Sequence, residues 1–230
     1  MKVAVLFSGG KDSTFSIYKA KMEGHEVVCI VTIFPQSDES QLLHYPNIQF
    51  TKLQSESMHI PQISIKIDST NPNNEAQTLK EILIKAKNEF EIEGIVHGGI
   101  LSEYQRKQFQ QISHDLNVVL ISPLWKKDEK EYMKNLLESK FHFMTISVTS
   151  GGLGESWLGK EITKEDLDTL NKLSKKYGFN LSFEGGEAET FVTDCPLFTY
   201  PIKIIKSKKI WDGYRGRFEI LEAKLDNNAR

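Results

Sequence analysis

The chain is poor in the features that would mark several large classes of protein. It has two cysteines in 230 residues, Cys29 and Cys195, and neither stands in a C-x-x-C or zinc-like spacing. That excludes a disulfide scaffold and a cysteine-built metal site, and it fits a reducing compartment. Cys29 lies in the apolar run Val27-Val28-Cys29-Ile30-Val31 and reads as a small buried hydrophobe. No apolar run approaches the roughly 18 residues a membrane span needs. The opening Lys2-Val3-Ala4-Val5-Leu6-Phe7 runs straight into glycines and a lysine, without the layout of a signal peptide. The expectation is a cytoplasmic protein with no membrane partner. An excess of one charge is missing too: 29 Lys and Arg against 31 Asp and Glu give a net charge of −2, which argues against a nucleic-acid partner. Internal repeats and low-complexity tracts are absent. What remains is an ordinary globular composition, 39% apolar and 26% charged. The chain is long enough to bury a core unaided, as one large domain or two small ones.

Short apolar runs alternate with amphipathic stretches along the first half. Lys2–Phe7 reads as a strand buried on both faces, 8–12 as a turn, Ser13–Met22 as a helix and His25–Phe34 as a second strand. Gln36–Met58 is polar and reads as a long irregular connection containing His44 and Pro46. Strands are expected at Ile63–Ile67, Gly94–His97 and Val118–Ile121, with helices at Asn74–Phe90 and Glu103–Leu116. This alternation predicts an α/β fold with a doubly wound, mostly parallel sheet. The charged stretch Lys126–Lys130 marks a subdomain boundary and opens a helix to about Lys140. A smaller α+β subdomain then follows: a strand at Phe141–Val148, a glycine-rich loop at 151–154, a helix at Thr163–Tyr177 opened by a capping-box pattern, and two strands around the Asp212-Gly213 turn. The domains are expected at 1–125 and 126–230, the first binding nucleotide and the second the acceptor, with the acceptor in the cleft between them.

Chemistry is concentrated in Ser8-Gly9-Gly10-Lys11-Asp12-Ser13-Thr14. It follows a buried strand and opens a helix. Glycines there let backbone N–H groups approach an anion, and the helix N-terminus adds its positive end. Ser8, Ser13 and Thr14 bring hydroxyls and Lys11 a cation, a set suited to pyrophosphate. The spacing is neither that of a Walker A loop nor G-x-G-x-x-G.

The heptapeptide matches the S-G-G-x-D-S signature of PP-loop ATP pyrophosphatases, members of the HUP-like adenine nucleotide alpha-hydrolase superfamily. The motifs downstream narrow the resemblance. In order they are His44-Tyr45-Pro46-Asn47 with Leu53-Gln54, Gly98-Gly99 leading to Tyr104-Gln105-Arg106, Pro123-Leu124-Trp125, Gly152-Leu153-Gly154 with Trp157, and Glu184-Gly185-Gly186-Glu187-Ala188-Glu189-Thr190 before Asp194-Cys195-Pro196. From Met1 to about Tyr200 the chain resembles the diphthine–ammonia ligase family, in its single-module archaeal form. The resemblance implies an ATP-dependent amide ligase that completes diphthamide on translation elongation factor 2. The diphthine carboxylate attacks the α-phosphate of ATP, pyrophosphate leaves, and ammonium supplies the nitrogen that displaces AMP.

It also implies roles. Ser8, Gly9, Gly10, Lys11, Asp12, Ser13 and Thr14 would bind ATP, with Asp12 holding Mg²⁺. Asp12, Lys11, Arg106 and Glu187 would be catalytic. Tyr104, Gln105, Arg106, Gly152, Glu184, Glu187, Glu189 and Thr190 would line the acceptor site. The three glutamates are expected to face the reaction chamber, where they and aromatics such as Trp157 or Phe191 could recognise the quaternary ammonium of diphthine. Arg106 suits bidentate oxyanion binding. His97 reads as a satisfied core histidine, Trp125 as a packing residue and Gly151–Gly154 either as an approach to the ligand or as a turn needing positive φ. Adenine is expected near Thr32–Phe34. The Lys203–Lys209 run reads as a solvated strand face. Where the family commonly carries an aromatic and a second arginine, this chain has Ala188 and Gln108. No amidotransferase nucleophile is present, so free ammonium is the expected donor. Rival readings are a PP-loop ligase acting on tRNA or a small carboxylate, and a nucleotide sensor without catalysis. The oligomeric state is open, a homodimer included.

Overall fold

Val3, Ala4 and Val5 have no exposed surface, and that places the strand they form at the centre of the molecule. In the computed structural model, which describes residues 1–34, 47–67 and 72–229, this strand, β1 (Lys2–Leu6), pairs in parallel with β2 (Glu26–Phe34) on one side and β4 (Gly94–Val96) on the other. With β3 (Gln62–Lys66) and β5 (Val119–Ile121) they make a five-stranded parallel sheet in the order β3-β2-β1-β4-β5. Apolar residues on both faces of its strands require cover on both sides. Helices α3 (Pro72–Phe90) and α4 (Glu103–Asp115) cover one face, packing Leu79, Leu83, Phe109 and Ile112 against Cys29, Val31 and Ile95. The other face takes α1 (Lys11–Met22), through Phe15, Ile17 and Ala20. The fold is the α/β, doubly wound architecture that the alternation predicts.

The second half adds α5 (Glu129–Glu138), α6 (Lys164–Tyr177) and a four-stranded antiparallel sheet, β7-β6-β9-β8, from β6 (His142–Val148), β7 (Ala188–Asp194), β8 (Ile202–Trp211) and β9 (Gly216–Leu225). Asp166 accepts hydrogen bonds from the Thr163 N–H and hydroxyl, so the capping-box pattern does start α6. Lys203, Lys206, Lys208 and Lys209 are exposed on β8, an edge strand. One hydrophobic core runs from Val3 and Phe15 through Met133 and Phe141 to Phe191 and Ile220, so both halves bury into each other. No described helix is long and apolar enough to cross a membrane.

Two elements differ from expectation. The end of the supposed irregular stretch is a 3₁₀ turn (Ile48–Phe50) and a helix, α2 (Thr51–Met58). Its buried side is largely polar: Thr51, Gln54, Ser55 and Ser57 are buried, and each is hydrogen bonded, Ser55 to Ile60 and Ser57 to Tyr200. The rest of that stretch, with His44, Tyr45 and Pro46, lies outside the described residues. The Glu-rich motif, in turn, does not stay a loop: from Ala188 it becomes strand β7.

Candidate functional site

In an open parallel sheet, ligands bind beyond the carboxyl ends of the strands, where the strand order reverses. Here that point lies between β1 and β4. A cleft opens there with about 730 Å³ of empty space, counting what is open to solvent, which is within the roughly 300–1,000 Å³ of small-molecule sites. Ser8, Asp12, Ser13, His97, Gly98, Gly99, Gln105 and Glu184 supply its polar wall. Val31, Ile33, Ile48, Leu79 and Phe109 supply an apolar end.

The loop after β1 is shaped by its glycines and by contacts from far along the chain. Gly9 has φ +82, and a Cβ there would lie 2.5 Å from Gln54 Oε1. Gln54, fully buried on α2, donates through Nε2 to the carbonyls of Gly9 (2.9 Å) and Val192 (2.8 Å). The Val192 N–H also donates to the Gly9 carbonyl, and the Lys11 N–H to Thr190 Oγ1 (3.1 Å). Strand β7 of the second sheet therefore holds the loop from outside. Ser8 and Ser13 hydroxyls sit 3.2 Å apart, and Thr14 Oγ1 donates to the Gly10 carbonyl. Gly10, the N-cap of α1, has no side chain to cap it, and Thr190 takes only the Lys11 N–H. The next N–H groups of the helix start, beside two hydroxyls, can receive an anion. Gly98 brings the next turn against it: a Cβ on Gly98 would lie 2.8 Å from the Asp12 carbonyl carbon and 2.9 Å from Ser13 N.

Two carboxylates reach the cleft. Asp12 accepts from Lys11 Nζ on both oxygens (3.0 and 2.9 Å) and from the Tyr132 hydroxyl on Oδ1 (2.5 Å). Glu184 Oε1 accepts from the N–H groups of Ile100 (2.8 Å) and Leu101 (3.3 Å). Burial first and the Asp12 charge second raise the Glu184 carboxyl above the usual range, against those N–H bonds. Burial, reinforced by Asp12, pushes the Tyr132 phenol well above its ordinary value, so it stays a donor. His97 is satisfied as expected. Its Nδ1 accepts from the Gly99 N–H (3.1 Å), which leaves Nε2–H for Ser122 Oγ (2.6 Å). Burial and then the Arg106 charge lower its pKa to about 4, so it is neutral near pH 7.

Several expected site residues stand elsewhere. Lys11 does not line the cleft; it is 2% exposed, under Asp12 and beside the rings of Tyr132 and Phe183. The three glutamates do not converge. Glu187 folds back to accept from the N–H groups of Asn180 and Gly185, both at 2.8 Å, and so closes its own turn. Glu189 lies on β7 opposite Ser147, and Thr190 supports the loop backbone. Glu184 alone of this group reaches the cleft. Trp157 and Phe191 are buried and do not line it. Gly152 is a positive-φ position (φ +89) against the Tyr177 ring and does not line the cleft. Of Tyr104, Gln105 and Arg106, only Gln105 lines it. Tyr104 is exposed, and the Arg106 guanidinium stacks on Trp125, 4.5 Å from the ring centroid, with its Nε buried and without a hydrogen-bond partner. Trp125 is thus a platform for an arginine beside the cleft. Sequence reasoning missed Tyr132, which carries no local motif, and the loop-supporting role of Gln54, which the motif around it does not show.

Among the described residues no group of three or more His, Cys, Asp and Glu could hold a metal ion by itself. Asp12 with Glu184 nearby fits a different arrangement: Mg²⁺ commonly rides on substrate phosphates and takes one or two protein carboxylates.

The sequence model described as the diphthamide synthase N-terminal domain matches residues 1–120, and that of the diphthamide synthase C-terminal domain matches 128–225. The diphthine–ammonia ligase of Danio rerio is 34% identical over 221 residues, covering 89% of this chain and 86% of that protein. That of Homo sapiens is 32% identical over 232 residues, covering 91% and 85%. That of Schizosaccharomyces pombe is 32% identical over 239 residues, 97% of this chain but 39% of the longer protein.

Proposed function

Because the chain belongs to the diphthine–ammonia ligase family, we propose that its cleft binds Mg-ATP and the diphthine side chain of translation elongation factor 2 and joins that carboxylate to ammonia. One observation carries the assignment to this cleft. The start of α1, the Ser8 and Ser13 hydroxyls and the carboxylates of Asp12 and Glu184 meet at the β1/β4 switch point.

The residues divide the work along the cleft. Val31, Ile33, Ile48 and Leu79 form an apolar slot for adenine at the end of β2. Backbone N–H groups of 8–13 and the two serine hydroxyls receive the phosphates, where charge builds as pyrophosphate leaves. Bound with the nucleotide, Mg²⁺ supplies charge neutralisation at those phosphates. Asp12 would hold it, and Lys11 balances the Asp12 charge from below. The diphthine carboxylate attacks the α-phosphorus, its oxygen replaces pyrophosphate, and ammonia then attacks the acyl carbon so that AMP departs. Glu184, beside the phosphate loop, draws the cationic species in: ammonium and the quaternary ammonium of diphthine. Arg106, held flat on Trp125, keeps guanidinium N–H groups for an acceptor or phosphate oxygen. Glu187 serves the 180–187 turn rather than the reaction.

The test is a product assay with Mg-ATP, ammonium and diphthine-bearing elongation factor 2. AMP, pyrophosphate and an acid-to-amide mass change on the factor are expected. Glu184→Gln should raise the ammonium and acceptor KM with ATP affinity kept. Unmodified factor and intact ATP, from protein that binds ATP, would overturn the assignment.

A further inference from the structure

The Asp12 carboxylate is held from two directions, and only one of them is local. Lys11 is its neighbour in the chain, and its ammonium spans both oxygens. Lys11 is itself buried beside the rings of Tyr132 and Phe183, but because it spans both oxygens it does not single out the one that faces the cleft. The second hold comes from 120 residues away: the Tyr132 hydroxyl donates to Oδ1. Tyr132 sits on α5 between Met133 and Leu136, both fully buried, and its ring packs 5.9 Å from that of Phe15 on α1. It is 3% exposed, whereas the Asp12 side chain keeps 28% of its surface open toward the cleft. A rigid donor thus pins one oxygen of a carboxylate whose other side is open.

We propose that Tyr132 is a positioning residue for the nucleotide-borne metal: its hydroxyl, reaching from α5, fixes the orientation in which Asp12 presents a carboxylate oxygen to the cleft. This rests on the reading of Asp12 as the Mg²⁺-holding carboxylate. It makes the second half of the chain a direct contributor to the nucleotide end of the site. Tyr132→Phe removes one oxygen and leaves the ring packing in place. The carboxylate then keeps only the Lys11 ammonium, which spans both oxygens and fixes neither, and samples orientations that do not face the phosphates.

The experiment uses the full chain and Mn²⁺ as the metal probe, titrated by the electron paramagnetic resonance of free Mn²⁺ in the presence of an ATP analogue with a methylene between the α- and β-phosphorus. Tyr132→Phe should raise half-saturating Mn²⁺ by about 10-fold, the scale of one lost hydrogen bond to a charged group. Binding of the analogue with metal chelated should stay within about 2-fold of the parent, because the loop and hydroxyls are untouched. Phe15→Leu loosens the same packing without touching the hydroxyl and should leave half-saturating Mn²⁺ unchanged. An unchanged Mn²⁺ titration in Tyr132→Phe, or an equal rise in Phe15→Leu, overturns the proposal. Asp12→Asn separates the two claims. If it leaves the Mn²⁺ titration alone, the reading of Asp12 fails and the proposal with it. If it weakens Mn²⁺ while Tyr132→Phe does not, the positioning role alone fails.

Discussion

Replacing Gly98 with alanine would drive a methyl group into the backbone that forms the phosphate site. The new Cβ would lie 2.8 Å from the carbonyl carbon of Asp12, 2.9 Å from the nitrogen of Ser13 and 3.0 Å from the oxygen of Asp12. Carbon atoms in contact settle at about 3.5–4.0 Å, so the β4–α4 turn and the first turn of α1 must part by roughly 0.5–1 Å. These are main-chain atoms in a helix start, which cannot swing aside as a side chain would. Overpacking of this kind costs about 1–3 kcal/mol. Gly98 is not among the described glycines with positive φ, so the cost is steric rather than conformational. The displaced atoms carry the N–H groups aimed at the phosphates, and a shift of about 1 Å in such donors can cost on the order of 100-fold. Gly154→Ala is the matched control: nothing lies within 4 Å of its added Cβ, and its φ is −91. Urea unfolding and ATP titration calorimetry on both variants give the comparison. Gly98→Ala should lose stability and at least about 10-fold in ATP affinity, while Gly154→Ala stays within about 0.5 kcal/mol of the parent. If Gly98→Ala binds ATP like the parent, the close approach of the two turns is not what shapes the site.

Three further outcomes are expected. The folded pKa of His97, about 4, lies below the ordinary 6.5, so the folded state binds fewer protons between those values. Its contribution, about 3 kcal/mol at full strength, is present above pH 6.5 and lost as pH falls toward 4; urea midpoints across that range should flatten in His97→Gln, and an equally steep curve there would assign the dependence to another group. Burial raises the Cys29 thiol to about 12, so at pH 8 an aromatic disulfide reagent should reach Cys29 only as fast as the chain unfolds, and prompt labelling of the native protein would contradict its placement in β2. Asn47 has φ +61, donates to the Phe218 carbonyl (2.8 Å) and accepts from the Ile220 N–H (2.7 Å); Asn47→Ala should cost about 2–4 kcal/mol, and about 1 kcal/mol more than Asn47→Gly, which is free of the left-handed strain; equal losses would remove that strain from the account.

The parts of this architecture that were legible in the sequence are those encoded over short distances. Val3–Val5 and Cys29–Val31 are apolar on both faces and read as central strands, and the serines and glycines of 8–13 read as an anion loop because strand, loop and helix are contiguous. Helix α2 was opaque because four of its five buried residues are Thr51, Gln54, Ser55 and Ser57, made tolerable inside by hydrogen bonds, with only Met58 apolar. Strand β7 was hidden behind the charges of Glu184, Glu187 and Glu189, which look like a solvated turn until Ala188, Thr190 and Phe191 turn inward. Spacing could not show that Glu184 enters the cleft while Glu187 turns back to Asn180, since a glycine pair lets the chain take either course. Tyr132 and Gln54 meet the loop only through the completed fold: Tyr132 has no local signature, and the Leu53-Gln54 motif does not show which backbone Gln54 reaches.

The hydrogen bonds that β7 gives the 8–13 loop also set when, during synthesis, that loop can take its final shape. The Lys11 N–H finds Thr190 across 179 residues, and the Gly9 carbonyl is bonded by Val192. A growing chain that has completed β5 possesses all five strands of the parallel sheet, and its loop is held by Gln54 of α2 but not yet by β7. Roughly 70 more residues must be made before β7 arrives, about 4–14 s at ordinary rates of synthesis. Through that interval the emerging chain lacks the two hydrogen bonds from β7, and its loop is less constrained than in the finished protein. Interrupted chains ending before β7 keep that less constrained loop.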